Sequence, residues 1–333
     1  MDKPSNKSLA QARHMVARFN ELNAMAGNTG RFDSIRQDAD ETNMLALQLE
    51  DMRSRVYEDV FAPRKSRLFF PASNDVDTGA ETYAYTETTE IGQADIINNF
   101  ADDLPTAETS GVKVTHNVVS VGIAYHWSLQ DVRRAAFSGQ PLPARKAVAA
   151  RRAFERKLDD IAASGAADDG IASGAVNNAN VSITALAAAG VWSGKTGAQI
   201  VADLNDLVKS VVVDSKEAYM ADTVLMPLDQ YMLISQTEYA TGYPATILET
   251  FLRNNPSIQR VEPWEKLDQA GAASADRVMA FMSDPEIIEH VIPQEFEVLP
   301  PEARGLGWRV ACHGRTAGIA VHRPLGVKYL DGV

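Results

Sequence analysis

The longest helix candidate in this sequence lies between Pro143 and Gly165 and constrains the fold more than any other feature. Its apolar side chains recur at steps of three, four, four and three residues, at Ala147, Ala150, Phe154, Leu158 and Ile161. Because proline favours the first turn of a helix and glycine its end, we expect a helix over about 143–164. At 1.5 Å per residue, that helix would be roughly 30 Å long.

Basic side chains are concentrated on the same helix, at Arg145, Lys146, Arg151, Arg152, Arg156 and Lys157. One interpretation is a patch that binds nucleic acid. The interpretation we favour is a solvated face with ion pairs four residues apart, such as Arg151–Glu155 and Arg156–Asp160. That interpretation includes salt bridges to neighbouring chains.

A strand pattern near the front of the chain carries two tyrosines. Tyr83 and Tyr85 alternate with small and polar residues, and Ala94 and Ile96 alternate in the same way after Gly92. We interpret the two segments as a hairpin. Neither strand has a strongly apolar face, and an isolated two-stranded ribbon is only marginally stable in water. The hairpin therefore either protrudes and is covered by a neighbouring chain, or is an ordinary edge hairpin.

The remaining periodic segments mix helices and strands without a regular alternation of the two. Strands are expected at 111–127 and 223–227, and helices at 42–62, 128–138, 200–211, 228–236 and 245–254. Ser128 is a plausible cap for the helix that follows it. This mixture predicts an α+β fold rather than a doubly wound sheet, and the 333 residues predict two or three lobes.

Composition excludes several classes of protein. The 32 basic and 44 acidic residues give a net charge of -12, which disfavours a sequence-specific reader of DNA or RNA. Cys312 is the only cysteine, so neither an intrachain disulfide nor a cysteine-based zinc cluster can form, and we expect it to be a small buried hydrophobe. The first residues lack the apolar core of a signal peptide and no membrane-spanning stretch is evident, so we expect a protein of the reducing cytosol.

Motifs for catalysis or cofactor binding are weak throughout. Gly194-Lys195-Thr196 suggests a phosphate-binding loop, but Ala189 occupies the position of the required earlier glycine, which favours a helix-capping turn. The six histidines include no H-E-x-x-H motif. We therefore expect no catalytic, cofactor-binding or metal-binding residues, and no enzyme.

Seven segments, taken in order, resemble one family: GAETYAY (79–85), GQADIINNFADDLP (92–105), SLQDVRRAAFSGQPLPARKAVAARRAFERKLDDIAASG (128–165), MPLDQYMLI (226–234), TILETFL (246–252), PQEFEVLPPEARGL (293–306) and RPLGVKYLDGV (323–333). The family is the encapsulin-like group of phage major capsid proteins with the HK97 fold. The resemblance covers roughly residues 45 to 333, while the first ~40 residues have no match.

This resemblance implies a domain layout. Residues 1–64 would form an N-terminal arm and helix, and residues 65–110 an extended loop lying over a neighbouring subunit. Residues 111–169 and 306–333 would form the peripheral domain around the spine helix 143–164, and residues 170–305 the axial domain. The implied inter-subunit contacts are Tyr83, Tyr85, Ile91, Ile96, Arg151, Arg152 and Arg156.

The resemblance implies a structural protein of the virion. The protein would be in the host cytoplasm only while the virion assembles. Its main partner would be itself, in pentamers and hexamers of an icosahedral head that encloses double-stranded DNA of a tailed bacteriophage. The other expected partners are portal and scaffolding proteins, a possible decoration protein and non-specifically packaged DNA. No association with a membrane is expected. Alternatives are a nanocompartment shell, a tail or baseplate protein, or a cytosolic α+β enzyme with a non-standard site.

Overall fold

The computed structural model describes residues 64–92, 94, 106–138, 142–186 and 190–333. The α-helices are α1 (Ser66–Phe69), α2 (Leu129–Ser138), α3 (Leu142–Ser164), α4 (Gly197–Asp214), α5 (Leu228–Gln236) and α6 (Ile247–Asn254). The strands are β1 (Ala72–Ser73), β2 (Thr82–Ile91), β3 (Glu108–Asn117), β4 (Val119–Ser128), β5 (Ile183–Thr184), β6 (Thr223–Met226), β7 (Arg260–Pro263), β8 (Arg277–Phe281), β9 (Ile288–Val291), β10 (Gln294–Val298), β11 (Glu302–Arg304), β12 (Gly307–Thr316), β13 (Gly318–Val321) and β14 (Val327–Asp331). The helix expected at 42–62 and the contact residue Ile96 lie outside the described residues.

A five-stranded sheet has the order β5-β14-β8-β6-β7, and its three central strands are buried on both faces. Alternate side chains of a strand point to opposite faces, so Val224 and Met226 pack with α4 and α6 while Leu225 packs on the other side with Phe70 and Trp264. The buried strand predicted at 223–227 and the helices predicted at 200–211, 228–236 and 245–254 are confirmed. Because both faces of these strands are buried, their sequences are continuously apolar rather than alternating.

The turn before α4 caps that helix, as expected from its sequence. Thr196 and Gln199 form a reciprocal capping box. Lys195 Nζ lies 2.6 Å from Asp203 Oδ2, and the two side chains are only 4% and 0% exposed. Because the lysine is buried in an ion pair, it is not presented to a phosphate group.

A second sheet joins β4, β10, β11 and β12 and is crossed by α3 on one face. Strands β4 and β12 pair over ten residues, from Val119–Thr316 to Ser128–Gly307. Phe154 of α3 lies directly over Gly314, where an added Cβ would come within 2.4 Å of the ring. The predicted helix over 143–164 is confirmed, and Gly165, with φ of 77°, ends it.

The strand expected at 111–127 is in fact two strands, which is a correction. Strand β3 ends at Asn117, Val118 is buried against Val291 and Ala317, and β4 begins at Val119. The sequence suggests a single strand because both strands are rich in β-branched residues. The two strands are separated at Val118, whose side chain packs into a different apolar cluster. Ser128 caps α2 as predicted, since Ser128 Oγ accepts a hydrogen bond from the Asp131 amide at 3.1 Å.

The last two strands of the chain, β13 and β14, belong to different sheets. Strand β13 joins β1 and β9 in a three-stranded sheet and packs beside α3. Strand β14 instead lies in the five-stranded sheet, between β5 and β8. Residues 327–331 therefore pack with strands of the 170–305 segment rather than beside the spine helix.

His290 is fully buried at the centre of the three-stranded sheet, between Ala72 of β1 and Ile319 of β13. Neither ring nitrogen has a hydrogen-bond partner among the described residues. Burial, with a smaller contribution from the nearby Arg67 guanidinium, lowers the pKa of His290 to about 4. The neutral ring is therefore the form compatible with the fold.

We expect His290 to make the protein acid-sensitive between about pH 6.5 and pH 4. In that window the unfolded chain binds a proton that the folded site excludes, so the free energy of unfolding falls as pH falls. From pH 7 to pH 5 the loss from this residue is on the order of 2 kcal/mol. Urea unfolding of His290→Leu should lack that loss, whereas the exposed control His126→Leu should retain it. Equal pH dependence of His290→Leu and wild type would rule this role out.

Candidate assembly surfaces

Strands β2 and β3 form a two-stranded antiparallel ribbon of ten residue pairs, from Thr82–Asn117 to Ile91–Glu108. At about 3.4 Å per residue, the ribbon is roughly 30 Å long. The tyrosine-bearing strand is thus confirmed, but its expected partner is corrected: it pairs with residues 108–117 and not with the segment after Gly92. Neither strand has another partner among the described residues, so both outer edges lack ladder hydrogen bonds.

The two faces of the ribbon differ in chemistry. One face carries Tyr83, Tyr85 and Ile91 on β2 with Val112 and Val114 on β3, in alternating register. The opposite face carries mostly threonine, alanine and glycine. The first face is therefore the more apolar of the two, although its distal half also carries Glu87 and Glu108.

The root of the ribbon is held by aromatic contacts within the chain. The ring of His116 stacks between Tyr83 and Tyr85, with centroids 5.2 and 5.7 Å away. Tyr85 also meets His322 edge to face at 4.4 Å, and His322 Nε2 lies 2.9 Å from Glu289 Oε1. Burial raises the pKa of the Tyr83 hydroxyl and, together with the adjacent His322, lowers the pKa of His116. These partly buried tyrosines thus anchor the ribbon to its own subunit.

The distal half of the ribbon is exposed. Ile91 and Val112 lie on one face and are 61% and 62% exposed. Glu87, Glu90 and Glu108 make the ribbon acidic, against a single basic residue, Lys113. Apolar side chains on a strand with free edges form a surface suited to another chain.

A surface of opposite charge lies on α3. Arg151, Arg152 and Arg156 are exposed, while Phe154 and Leu158 on the other side of the helix are buried. Two acidic residues of this helix make tertiary ion pairs. Glu155 lies 3.4 Å from Arg67, and Asp160 lies 2.6 Å from Lys266, so both tie α3 to distant parts of the chain.

The histidines at the ribbon root were missed by sequence reasoning. His116 continues the alternation of Val112 and Val114 on β3, which is a signal that it shares their face. No sequence pattern connects it with His322, because the two meet only through tertiary packing.

No group of three or more His, Cys, Asp or Glu is placed among the described residues to hold a metal ion. No helix in the described ranges is both long and apolar enough to cross a membrane. Cys312 is buried, as expected.

Solved structures similar to this chain include a phage capsid and the capsid of a GTA particle. The capsid of Myoviridae phage XM1 matches with a TM-score of 0.76 at 20% identity, over 86% of this chain and 98% of that chain. The structure of Mycobacterium phage Bobi matches with a TM-score of 0.60 at 16% identity, over 87% of this chain and 97% of that chain. The capsid of a native GTA particle matches with a TM-score of 0.66 at 14% identity, over 89% and 99% of the two chains. The expected HK97-type α+β fold is confirmed.

Sequence comparison identifies the family directly. No curated protein matches the chain. The family model described as major capsid protein matches residues 92–333, which is well over half of the chain. The chain therefore belongs to the major capsid protein family.

Proposed function

We propose that this chain is the major capsid protein of a tailed double-stranded DNA bacteriophage and assembles as pentamers and hexamers of an icosahedral head. The observation that carries the proposal is the exposed distal half of the ribbon, whose apolar side chains are mostly exposed and whose outer edges pair with no other described residue. Membership of the capsid family and the likeness to phage capsids support the same function. In this proposal the protein is structural and catalyses no reaction.

Within the assembled head, each ribbon lies on a neighbouring subunit. Ile91 and, by extension of the same segment, Ile96 belong to the covered part, while Tyr83 and Tyr85 fix the root from which the ribbon extends. Arg151, Arg152 and Arg156 on α3 supply a cationic surface for acidic residues of other subunits. The net charge of -12 suits a container, because a negative wall repels packed DNA.

The proposed domain layout follows the family resemblance. The arm and helix span 1–64, the extended loop 65–110, the peripheral domain 111–169 with 306–333, and the axial domain 170–305. We place the terminal strand β14 with the axial domain, because it pairs with β8 and β5. Portal and scaffolding proteins, and possible decoration proteins, are proposed as further partners in the host cytoplasm.

Electron microscopy of the purified chain tests this function. We expect closed shells or capsomers, since many modest contacts repeated by symmetry stabilise such assemblies. A monodisperse small oligomer under every assembly condition would contradict it. Shells that enclose an enzyme rather than DNA would instead indicate a nanocompartment. A portal gene next to the gene for this chain would favour the phage.

A further inference from the structure

The direction of the ribbon is set at its root. Strands β2 and β3 pair with no strand of the other sheets in the described part of the chain. Side chains at the root therefore join the ribbon to the body of the subunit, by which we mean the described residues from 118 onwards. Tyr83 packs into the apolar cluster around Val118, and Tyr85 meets the ring of His322.

His116 lies at the centre of these contacts. Its ring is half-buried and stacks between Tyr83 and Tyr85. The Nε2 atom is buried and has no hydrogen-bond partner among the described residues. A neutral imidazole can leave Nε2 without a proton, whereas an imidazolium carries an N–H group on both nitrogens. The neutral ring is therefore the form that suits this packing.

Several charged or titratable groups surround His116. They are the hydroxyls of Tyr83 and Tyr85 and the carboxylate of Glu87 on β2, Glu289 on β9, and His322 and Arg323 directly after β13. Glu289 already has a partner, because its Oε1 atom lies 2.9 Å from His322 Nε2. Burial, followed by the charge of His322, lowers the pKa of His116, and Glu289 opposes this shift.

Two effects oppose each other when His116 takes up a proton in the stack. A cation over a tyrosine face gains about 0.5–1 kcal/mol at partly exposed sites. A buried N–H group without an acceptor costs about 1–3 kcal/mol, and more when it is charged. The cost is the larger effect. The protonated ring therefore favours a position in which Nε2 reaches water.

A cavity of about 430 Å³ beside the root provides room for such a movement. It is lined by residues 114–117 of β3, by residues 170–173 and 178–180, and by side chains of β13. Asn117 Nδ2 donates an exposed hydrogen bond to the Gly170 carbonyl at 3.1 Å, and water can replace that bond at little cost. A swing of the ribbon can thus hydrate His116 while the subunit stays folded. His290, by contrast, is enclosed in a sheet.

We propose that the root of the ribbon is an acid-sensitive latch, in which protonation of His116 breaks its stack with Tyr83 and Tyr85 and changes the direction of the ribbon relative to the body. The released ring has an ordinary pKa of about 6.5, whereas the pKa of the latched ring is lower. The latch is therefore fully stable above about pH 6.5 and weakens as the pH falls below that value. It is a property of the single chain, so it is independent of the proposed shell.

Pulsed electron paramagnetic resonance tests the latch in the full chain. Spin labels are attached to Thr88→Cys on the distal ribbon and to Lys209→Cys on α4, two exposed positions. Cys312 is buried, so the labels react with the introduced cysteines. A large excess of unlabelled wild-type chain removes distances between subunits. From about pH 7.5 to about pH 5, we expect the ratio of latched to released chains to fall at least about threefold.

His116→Phe removes the proton site while keeping a ring that can stack between the tyrosines. Its label distances should not change over the same pH range. The matched control is His126→Phe, at an exposed histidine of β4, which should keep the wild-type response. Label distances that do not respond to pH in the wild type would overturn the latch. Equal responses in His116→Phe and the wild type would do the same.

His116→Lys provides the opposite test should the phenylalanine variant not fold. Lysine has an ordinary pKa of about 10.4, so it carries a positive charge throughout this range. The variant should show the released distance already at about pH 7.5, and the wild-type distance there would contradict the latch. Circular dichroism of the same wild-type samples should stay unchanged down to about pH 5. A spectrum lost together with the latched distance would indicate global unfolding and refute a local latch.

Discussion

Removing residues 86–113 and joining Tyr85 to Val114 through Asn-Gly is expected to give a folded subunit that forms no closed shells. Tyr85 and Val114 are register partners, so a two-residue turn can connect them. The stack of His116 between Tyr83 and Tyr85 is retained, while the surface that we assign to a neighbouring subunit is lost. Sedimentation velocity would measure the fraction of chain in particles.

The fold of the shortened chain serves as its own control. The described residues of the deleted segment are mostly exposed, so the free energy of unfolding should change by no more than about 1 kcal/mol. An unchanged circular dichroism spectrum together with complete loss of particles is the expected result. Normal particles from this variant would show that the distal ribbon is dispensable.

Asp203→Ala is expected to destabilise the subunit by about 3–5 kcal/mol, because it leaves a buried ammonium group without its counter-charge. Asp203 Oδ2 accepts hydrogen bonds from Lys195 Nζ at 2.6 Å and from Trp192 Nε1 at 3.0 Å. Both partners belong to the turn that caps α4. Chemical denaturation of the unassembled subunit would measure the change.

Asp206→Ala is the matched control on the same helix. Asp206 is only partly buried, so its removal should change the free energy of unfolding by no more than about 0.5 kcal/mol. Conversion of both Lys195 and Asp203 to apolar residues should recover much of the loss, because no unpaired charge then remains. An Asp203→Ala variant as stable as the control would refute the role of this ion pair.

The helices were predictable because their signals are local. For α3, the apolar stripe from Ala147 to Ile161 records the face that packs on the sheet, and Gly165 supplies the end. The caps at Ser128 and Thr196 likewise depend on residues only three positions away. Helical periodicity and caps can therefore be recognised from neighbouring residues alone, without knowledge of the tertiary structure.

The pairing of strands was less predictable because it depends on distant residues. The alternation around Tyr83 and Tyr85 predicts a strand but does not identify its partner. Strand β2 pairs with a segment that begins at Glu108, whereas the segment that Gly92 opens was expected as its partner. The split at Val118 and the meeting of His116 with Tyr85 also arise only when separate elements pack together.

In the proposed head, the distal half of each ribbon is covered by another copy of the chain. A cryo-electron microscopy reconstruction of assembled particles, at a resolution that shows side chains, tests it most directly. We expect Ile91 and Val112 of every subunit to lie buried against a different chain. A map in which these side chains face solvent, or fold back on their own subunit, would contradict it.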